Sequence, residues 1–122
     1  MTSDALDRKI FLALLETGGS DVAAALAEQL TQDFARLHSD LQAHLSVSNS
    51  GTDLNFQAIY MIAHEMKGLA LTIGAVALPE LSLRAEKMAQ NKDGAALAAA
   101  LPEVIDECDR VRTALAQFIE NM

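Results

Sequence analysis

The chain has 122 residues, 17 acidic residues against 9 lysines and arginines, and a formal net charge of −8. This length predicts one domain over residues 1–122, because two cores would each be too small to bury enough surface. The acidic charge repels phosphate backbones and so excludes nucleic acid as an expected partner. No apolar stretch reaches the roughly 18 residues of a membrane span and the N-terminus lacks a signal-peptide pattern, so we expect no membrane contact and a cytoplasmic location.

The composition favours helices packed on helices. Hydrophobic residues make up 51% of the chain, with two prolines, six glycines and no tryptophan. Cys108 is the single cysteine, so it cannot form an internal disulfide, and no cysteine and histidine spacing resembles a zinc site. We therefore predict an all-α protein that suits a reducing compartment and holds no metal.

Two helices are predicted in the first part of the chain. The first covers residues 4–17, with Ser3 or Asp4 as its N-cap and a pair of glycines at its end. The second covers residues 22–45, where apolar residues recur at steps of four and three and predict one buried stripe. This stripe contains Val22, Leu26, Leu30, Phe34, Leu37, Leu41 and Leu45.

Small, turn-forming residues at 46–53 predict a loop that supplies the next N-cap, at Thr52 or Asp53. A third helix then runs to Ile73, and Gly74 ends it. Pro79 suits the first turn of a fourth helix that reaches about residue 91. The inner side of this fourth helix is predicted to contain Leu78, Leu81, Ala85 and Met88.

The last helix is predicted over residues 95–119, where apolar residues again alternate at steps of four and three. The pattern keeps its register across Pro102, which predicts a kink within one helix and no break. Its stripe contains Leu97, Leu101, Val104, Cys108, Val111, Leu115 and Phe118. Four long helices and one short one, joined by short connections, predict an antiparallel up-and-down four-helix bundle with an additional short N-terminal helix.

The third helix directs one histidine away from its buried face. The predicted stripe, at steps of three and four, contains Phe56, Ile59, Ala63, Met66, Ala70 and Ile73. At about 100° per residue, His64 lies roughly 140° from the centre of that stripe and should face solvent. His38 and His44 are interpreted as helix-surface histidines without a role, because nothing unusual surrounds them.

The neighbours of His64 are unusual for an exposed helix surface. Lys67 at i+3 puts a positive charge within reach of a group bound to the imidazole. Gly68 at i+4 costs about 1 kcal/mol relative to alanine, and it removes the side chain that would crowd the ring. Met61 and Leu71 leave apolar surface beside it. Neutral imidazole offers a nucleophilic nitrogen, so these residues could accept a phosphoryl group, stabilise its charge and admit a partner's active site.

The segment IAHEMKGLALTIGA, residues 62–75, resembles the signature of the histidine-containing phosphotransfer (HPt) domain family of multistep phosphorelays. That signature has the form A-H-x-L-K-G, followed by small or apolar residues and then G-A. The matching residues are Ala63, His64, Lys67, Gly68, Gly74 and Ala75. Met66 replaces the usual leucine. Asp53, Leu78 and Glu86 match recurrent family positions, so that the resemblance covers most of the chain.

Two departures from the family pattern bear on partner choice. Residues 69–72, with the sequence LALT, replace the small and polar residues that commonly follow the K-G pair. Ser82 replaces a frequent cysteine. Neither departure removes the expected phosphoacceptor.

The resemblance implies a phosphocarrier in which His64 accepts a phosphoryl group from a receiver-domain aspartate and passes it to another response regulator. Lys67 would stabilise the phosphoryl charge and Gly68 would give clearance. The expected partners are receiver domains and a hybrid sensor histidine kinase, with Mg²⁺ only in the receiver, no cofactor in this chain and a monomeric state. The candidate docking residues are Gln57, Tyr60, Met61 and Leu71.

The sequence also bears on functions other than a phosphocarrier. A glycine-rich nucleotide-binding loop is missing from the sequence, so we expect no ATP use and no enzyme in the usual sense. A metalloprotease would need histidine at position 68, where the chain has glycine, and paired Glu-x-x-His motifs for a di-metal site are missing too. A helical adaptor that docks a receiver or kinase without carrying phosphate stays open. As an exposed lysine, Lys67 is expected to contribute little to stability.

Overall fold

Five α-helices contain most of the residues that the computed structural model describes, which are residues 5–47 and 53–120. The helices are α1 (Arg8–Glu16), α2 (Gly19–Ser46), α3 (Phe56–Ile73), α4 (Leu78–Gln90) and α5 (Gly94–Glu120). Helices α2 to α5 pack in chain order, α5 closes the bundle against α2, and α1 packs on α2 and α3. The predicted all-α bundle with a short N-terminal helix is confirmed. Within the described part of the chain, no helix is both long enough and apolar enough to span a membrane.

Three predicted helix starts differ from the structure. Helix α2 begins at Gly19 and not at residue 22, and the N-caps of α1 and α3 differ from the predicted ones. Helix α1 is capped by Asp7, whose Oδ1 accepts a hydrogen bond from the Lys9 amide at 3.0 Å, and the predicted caps at positions 3 and 4 lie outside the described residues. Helix α3 is capped by Asn55, whose Oδ1 accepts from the Ala58 amide at 3.0 Å. The prediction of a cap at position 52 or 53 was therefore wrong, and position 52 is itself not described. The reason is Leu54, which is buried and brings the chain into the core before the helix begins.

The buried stripe of α2 follows the prediction in its middle and departs from it at the N-terminal end. Leu30, Phe34, Leu37 and Leu41 are all buried. The prediction was wrong for Val22, which is 53% exposed, because Ala23 and Ala27 face the core in its place. Helix α1 packs on α2, and small side chains allow two helices to approach closely.

Helix α5 is one continuous element through Pro102, whose ring faces solvent. The stripe predicted for it is buried from Leu97 to Leu115, and Phe118 is partly buried with its ring edge-on to Phe11 at a centroid distance of 4.7 Å. Within this stripe, burial raises the pKa of the Cys108 thiol to about 12. This cysteine is therefore a core side chain without thiolate reactivity at neutral pH.

The turn between α3 and α4 fixes the end of the helix that carries His64. Gly74 ends α3 in the left-handed conformation, with a φ of 79°, and its amide is bonded to carbonyl oxygens of the last helical turn. The N-terminal segment runs beside this turn, with the Asp7 amide 2.6 Å from the Gly74 carbonyl and the Val76 amide 2.9 Å from the Ala5 carbonyl. These bonds tie α1, α3 and α4 together at one end of the bundle.

We expect Gly74→Ala to lower the free energy of unfolding by about 2 kcal/mol or more, because left-handed backbone is unfavourable for L-residues and the new methyl would clash. A Cβ at this position would lie 2.7 Å from the Ile10 Cβ. Urea denaturation followed by circular dichroism measures the loss. Gly68→Ala is the matched control: a Cβ there meets nothing within 4 Å, so that variant should gain up to about 1 kcal/mol. Equal effects at the two positions would contradict this account.

Candidate functional site

His64 lies in the middle of α3 and its side chain is 59% exposed, as the helical phase predicts. Its Nδ1 is 2.6 Å from Oε2 of Glu86, which lies on α4. The ring of Tyr60 stacks on the imidazole, with 5.8 Å between the centroids and 15° between the planes. The imidazole is thus held by a carboxylate at one nitrogen and by a ring on one face, while more than half of it stays open to solvent.

Glu86 is a buried carboxylate that contacts two side chains of α3, His64 and Lys67. Its side chain is only 7% exposed, and its Oε1 is 2.7 Å from Nζ of Lys67. Burial by itself raises the pKa of Glu86, but the ion pair with Lys67 and the hydrogen bond from His64 outweigh it and leave the pKa below its ordinary value of 4.5. Glu86 is therefore ionised at neutral pH.

The charge of Glu86 determines which imidazole nitrogen can react. An ionised carboxylate can only accept hydrogen bonds, so the proton between the two groups belongs to Nδ1 of His64. In a neutral imidazole with a proton on Nδ1, the lone pair available for attack is on Nε2. The site therefore presents Nε2 as a nucleophile on an exposed helix face.

Lys67 differs from the freely exposed lysine that the sequence suggested. Its side chain is 24% exposed, and its ammonium group forms an ion pair with the buried Glu86. The expectation that Lys67 is freely exposed was wrong, and we now expect a larger contribution to stability, because removing Lys67 would leave a buried carboxylate with one partner fewer. Its predicted role toward a phosphoryl group stays a prediction; Lys67 lies one helical turn after His64 on α3, and the pair with Glu86 holds its ammonium group beside α4.

Gly68 lies at an exposed position one turn beyond His64. A Cβ at Gly68 would meet no atom within 4 Å, so the fold itself does not require glycine here. This open space agrees with the predicted function of Gly68 in giving a partner access to the ring.

The candidate docking residues lie around one face of α3. Gln57, Met61 and Leu71 are exposed, and with His64 and Gly68 they recur at steps of four, three, four and three, which places them in one solvent-facing stripe. Met61 is 57% exposed and Leu71 is 62% exposed. Tyr60 is half-buried beside this stripe, where it supports the imidazole.

The other two histidines have different surroundings. His38 is not a surface histidine as interpreted from the sequence: its side chain is 13% exposed, and Nε2 is 3.8 Å from Oδ1 of Asp109 on α5. The packing of α2 against α5 explains this burial. His44 is half-buried near the end of α2. Among the described residues, no group of three histidine, cysteine, aspartate or glutamate side chains is placed to hold a metal ion.

The structure adds two observations on α4 that the sequence did not contain. The contact of Glu86 with both His64 and Lys67 joins residues of two helices, whereas the sequence indicated only a position that recurs in the HPt family. Ser82, one turn before Glu86, is fully buried, and its hydroxyl lacks a hydrogen-bond partner in the part of the chain that is described. A less polar side chain would suit this position, in agreement with the frequent cysteine of that family.

We expect Lys67→Ala to lower the free energy of unfolding by about 1–3 kcal/mol at neutral pH, because the buried Glu86 loses a charged partner. Lys87→Ala, at an exposed position next to Glu86 in the sequence, is the matched control and should change it by about 0.5 kcal/mol or less.

The pH dependence of this difference follows from the lowered pKa of Glu86. The pair is intact above the ordinary value of 4.5 and is lost as the pH falls through the folded pKa. Urea titrations of both variants between neutral and acidic pH should show the Lys67→Ala penalty shrinking on the acidic side. A penalty no larger than that of Lys87→Ala would refute the buried pair.

Comparisons with known proteins agree with the geometry. The family model described as "Hpt domain" matches residues 21–114, while no curated protein matches the sequence significantly. Among solved structures, histidine-containing phosphotransfer protein B (HptB) from Pseudomonas aeruginosa is similar, with a TM-score of 0.81 and 23% identity over 99% of each chain. The histidine-containing phosphotransfer protein ZmHP2 from maize has a TM-score of 0.77 and 19% identity, over 97% of this chain and 91% of its own. The family model spans most of the sequence, and the chain belongs to the Hpt domain family.

Proposed function

We propose that this protein is a phosphocarrier that accepts a phosphoryl group on Nε2 of His64 and passes it on within a phosphorelay. Membership of the Hpt family makes the chain a histidine phosphotransfer protein of phosphorelay signalling. The observation that carries the assignment to His64 is the exposed imidazole whose Nδ1 is engaged by an ionised carboxylate. This arrangement leaves one nucleophilic nitrogen facing solvent.

The transfer needs little chemistry from this chain. The lone pair of His64 Nε2 attacks the phosphorus of an aspartyl phosphate on a receiver domain. The bond from phosphorus to the acyl oxygen breaks, the aspartate leaves as a carboxylate, and a bond from nitrogen to phosphorus forms. The return step reverses these bonds on the aspartate of a second response regulator. Phosphoryl transfer depends mainly on positioning and charge stabilisation. The likeness to the HPt family implies that the Mg²⁺ is held by the receiver, so this chain would need no cofactor and no ATP.

Two neighbours of His64 support this reaction. Lys67 supplies an ammonium group one turn along α3, where it can bind the phosphoryl oxygens. Gly68 leaves open space next to the ring, so the partner's active site can approach the helix closely. The protein acts as a stoichiometric carrier and is not an enzyme in its own right.

The stripe of Gln57, Met61 and Leu71, with Tyr60 beside it, is the surface that docks the receiver domain. Exposed apolar side chains next to a polar centre are typical of a binding surface, and here they lie one and two turns from His64. The expected partners are response-regulator receivers and a hybrid sensor histidine kinase. A monomer keeps this face free, and the cytoplasm is where such receivers act.

We expect His64→Gln to abolish uptake of acid-labile phosphate from a phosphorylated receiver domain, because the amide has no nucleophilic nitrogen. Transfer of labelled phosphate, followed by gel electrophoresis at alkaline pH, measures the uptake. His44→Gln, at a half-buried position near the end of α2, is the control and should transfer at the wild-type rate. A wild-type protein that binds receivers and takes up no phosphate from any of them would favour the adaptor over the carrier.

We expect Gly68→Ala to slow transfer from a receiver about tenfold or more, through misplacement of the approaching phosphoryl group. The small donor phosphoramidate needs no clearance for a protein, so its rate of reaction with His64 should stay unchanged. Rapid-quench measurements with both donors separate the two effects. Equal slowing with phosphoramidate would show that Gly68 acts on the ring itself and not on partner approach.

A further inference from the structure

One buried carboxylate contacts both side chains on which the phosphoryl reaction depends, the nucleophile His64 and the cation Lys67. Glu86 holds Nδ1 of His64 through Oε2 at 2.6 Å and Nζ of Lys67 through Oε1 at 2.7 Å. With the imidazole in its neutral, nucleophilic form, the three side chains together carry no net charge. Lys67 is thus already paired before any phosphoryl group arrives.

We propose that Glu86 is a positioning residue whose charge is exchanged between its two partners: it pairs with Lys67 in the resting protein and with the His64 ring after phosphorylation. This inference rests on the proposed function and adds a residue that releases Lys67 toward the phosphoryl group. Glu86 does not touch the phosphoryl group. It acts through His64, which bonds to the phosphorus, and through Lys67, which binds the phosphoryl oxygens.

The charges of the reaction lead to this exchange. When Nε2 donates its lone pair to phosphorus, the proton stays on Nδ1 and the ring becomes a positively charged phosphoimidazolium. The positive ring strengthens its hydrogen bond to Glu86, because both donor and acceptor are now charged. At the same time the phosphoryl oxygens bring negative charge to Lys67, which can then leave Glu86 without stranding a buried anion.

The same proton keeps the step reversible. On return, the bond from nitrogen to phosphorus breaks and its electron pair goes back to Nε2, so neutral imidazole is the leaving group. Without the proton on Nδ1 the leaving group would be imidazolate, which is far more basic and departs slowly. Glu86 keeps the proton in place, and the other nearby carboxylate, Glu65, is exposed and is paired with Arg36 of α2.

The test uses phosphoramidate as donor, so that no receiver is needed. Ammonia leaves phosphorus, and phosphohistidine forms at His64. Uptake is followed by ³¹P NMR, and ¹⁵N-labelled protein reports the tautomer of His64 and the state of the Lys67 ammonium. Glu86→Gln keeps the size of the side chain and removes its charge. Glu65→Gln removes the same charge beside His64 without touching the ring and serves as the matched control.

The wild type should show the tautomer with a proton on Nδ1 and phosphorylation at Nε2. Its Lys67 ammonium resonance should shift on phosphorylation, and that of Lys87 should not. Glu86→Gln should react about tenfold more slowly, since the ring charge loses its ionic partner. It should also populate both tautomers, because an amide can accept from Nδ1 or donate to it. Glu65→Gln should match the wild type.

The inference is overturned if folded Glu86→Gln reacts at the wild-type rate, or if the Lys67 resonance does not move on phosphorylation. Glu86→Gln leaves the Lys67 ammonium without its carboxylate partner, which could destabilise the fold. A second comparison avoids this effect: the rate of Lys67→Met is compared with that of the double variant Lys67→Met/Glu86→Gln. The double variant has neither charge, and it should react about tenfold more slowly than the single one. Equal rates there would also overturn the inference.

The test of the role of Glu86 and the test of the proposed function can fail independently. A protein that reacts with phosphoramidate as described, but takes nothing from any receiver, would refute the relay and keep the role of Glu86. A protein that takes phosphate from a receiver equally well with glutamate or glutamine at position 86 would keep the relay and refute that role.

Discussion

A buried negative charge between two helices is the constraint on which the site depends. Glu86 is almost fully covered, and it stays ionised because His64 and Lys67 both bind it from α3. Burial of an unpaired carboxylate would be costly, so this side chain requires α3 and α4 to stay in one register. The tautomer of His64 and the position of Lys67 follow from the same charge.

The bundle supplies the geometry for this contact. Helix α3 ends at Gly74 in the left-handed conformation, and the following turn brings α4 back along it. The N-terminal segment is hydrogen-bonded to this turn, which fixes α1 to the same end. Since α3 buries its other face in the core, its outer stripe can carry an exposed histidine, a glycine and two exposed apolar residues without disturbing the fold.

Most of the fold could be predicted from the sequence, because each long helix carries one apolar stripe with the period of an α-helix. The same phase placed His64 outward, and Gly74 marked the end of α3. Local propensity failed where tertiary packing decides: Leu54 enters the core before α3 and moves its cap to Asn55. On α2, packing against α1 selects Ala23 over Val22 as the buried residue.

Only half of the site could be predicted from the sequence, because helical phase describes one helix at a time. Helical phase identified His64, Lys67 and Gly68 as neighbours on α3. It could not show that Glu86, 22 residues after His64, contacts both His64 and Lys67. It therefore treated Lys67 as an exposed lysine, whereas the structure shows it paired and mostly covered. The signal that could have revealed the pair is Glu86 itself, because it is a charged residue on a face of α4 whose other residues are small or apolar.

The proposed carrier holds the phosphoryl group on Nε2 of His64 while Nδ1 keeps its proton. The most direct measurement is ¹H, ¹⁵N and ³¹P NMR of the labelled wild-type protein after transfer from a phosphorylated receiver domain. We expect phosphorus coupling to Nε2 and a protonated Nδ1 bonded to Glu86. Phosphorus on Nδ1, or on a residue other than His64, would contradict it.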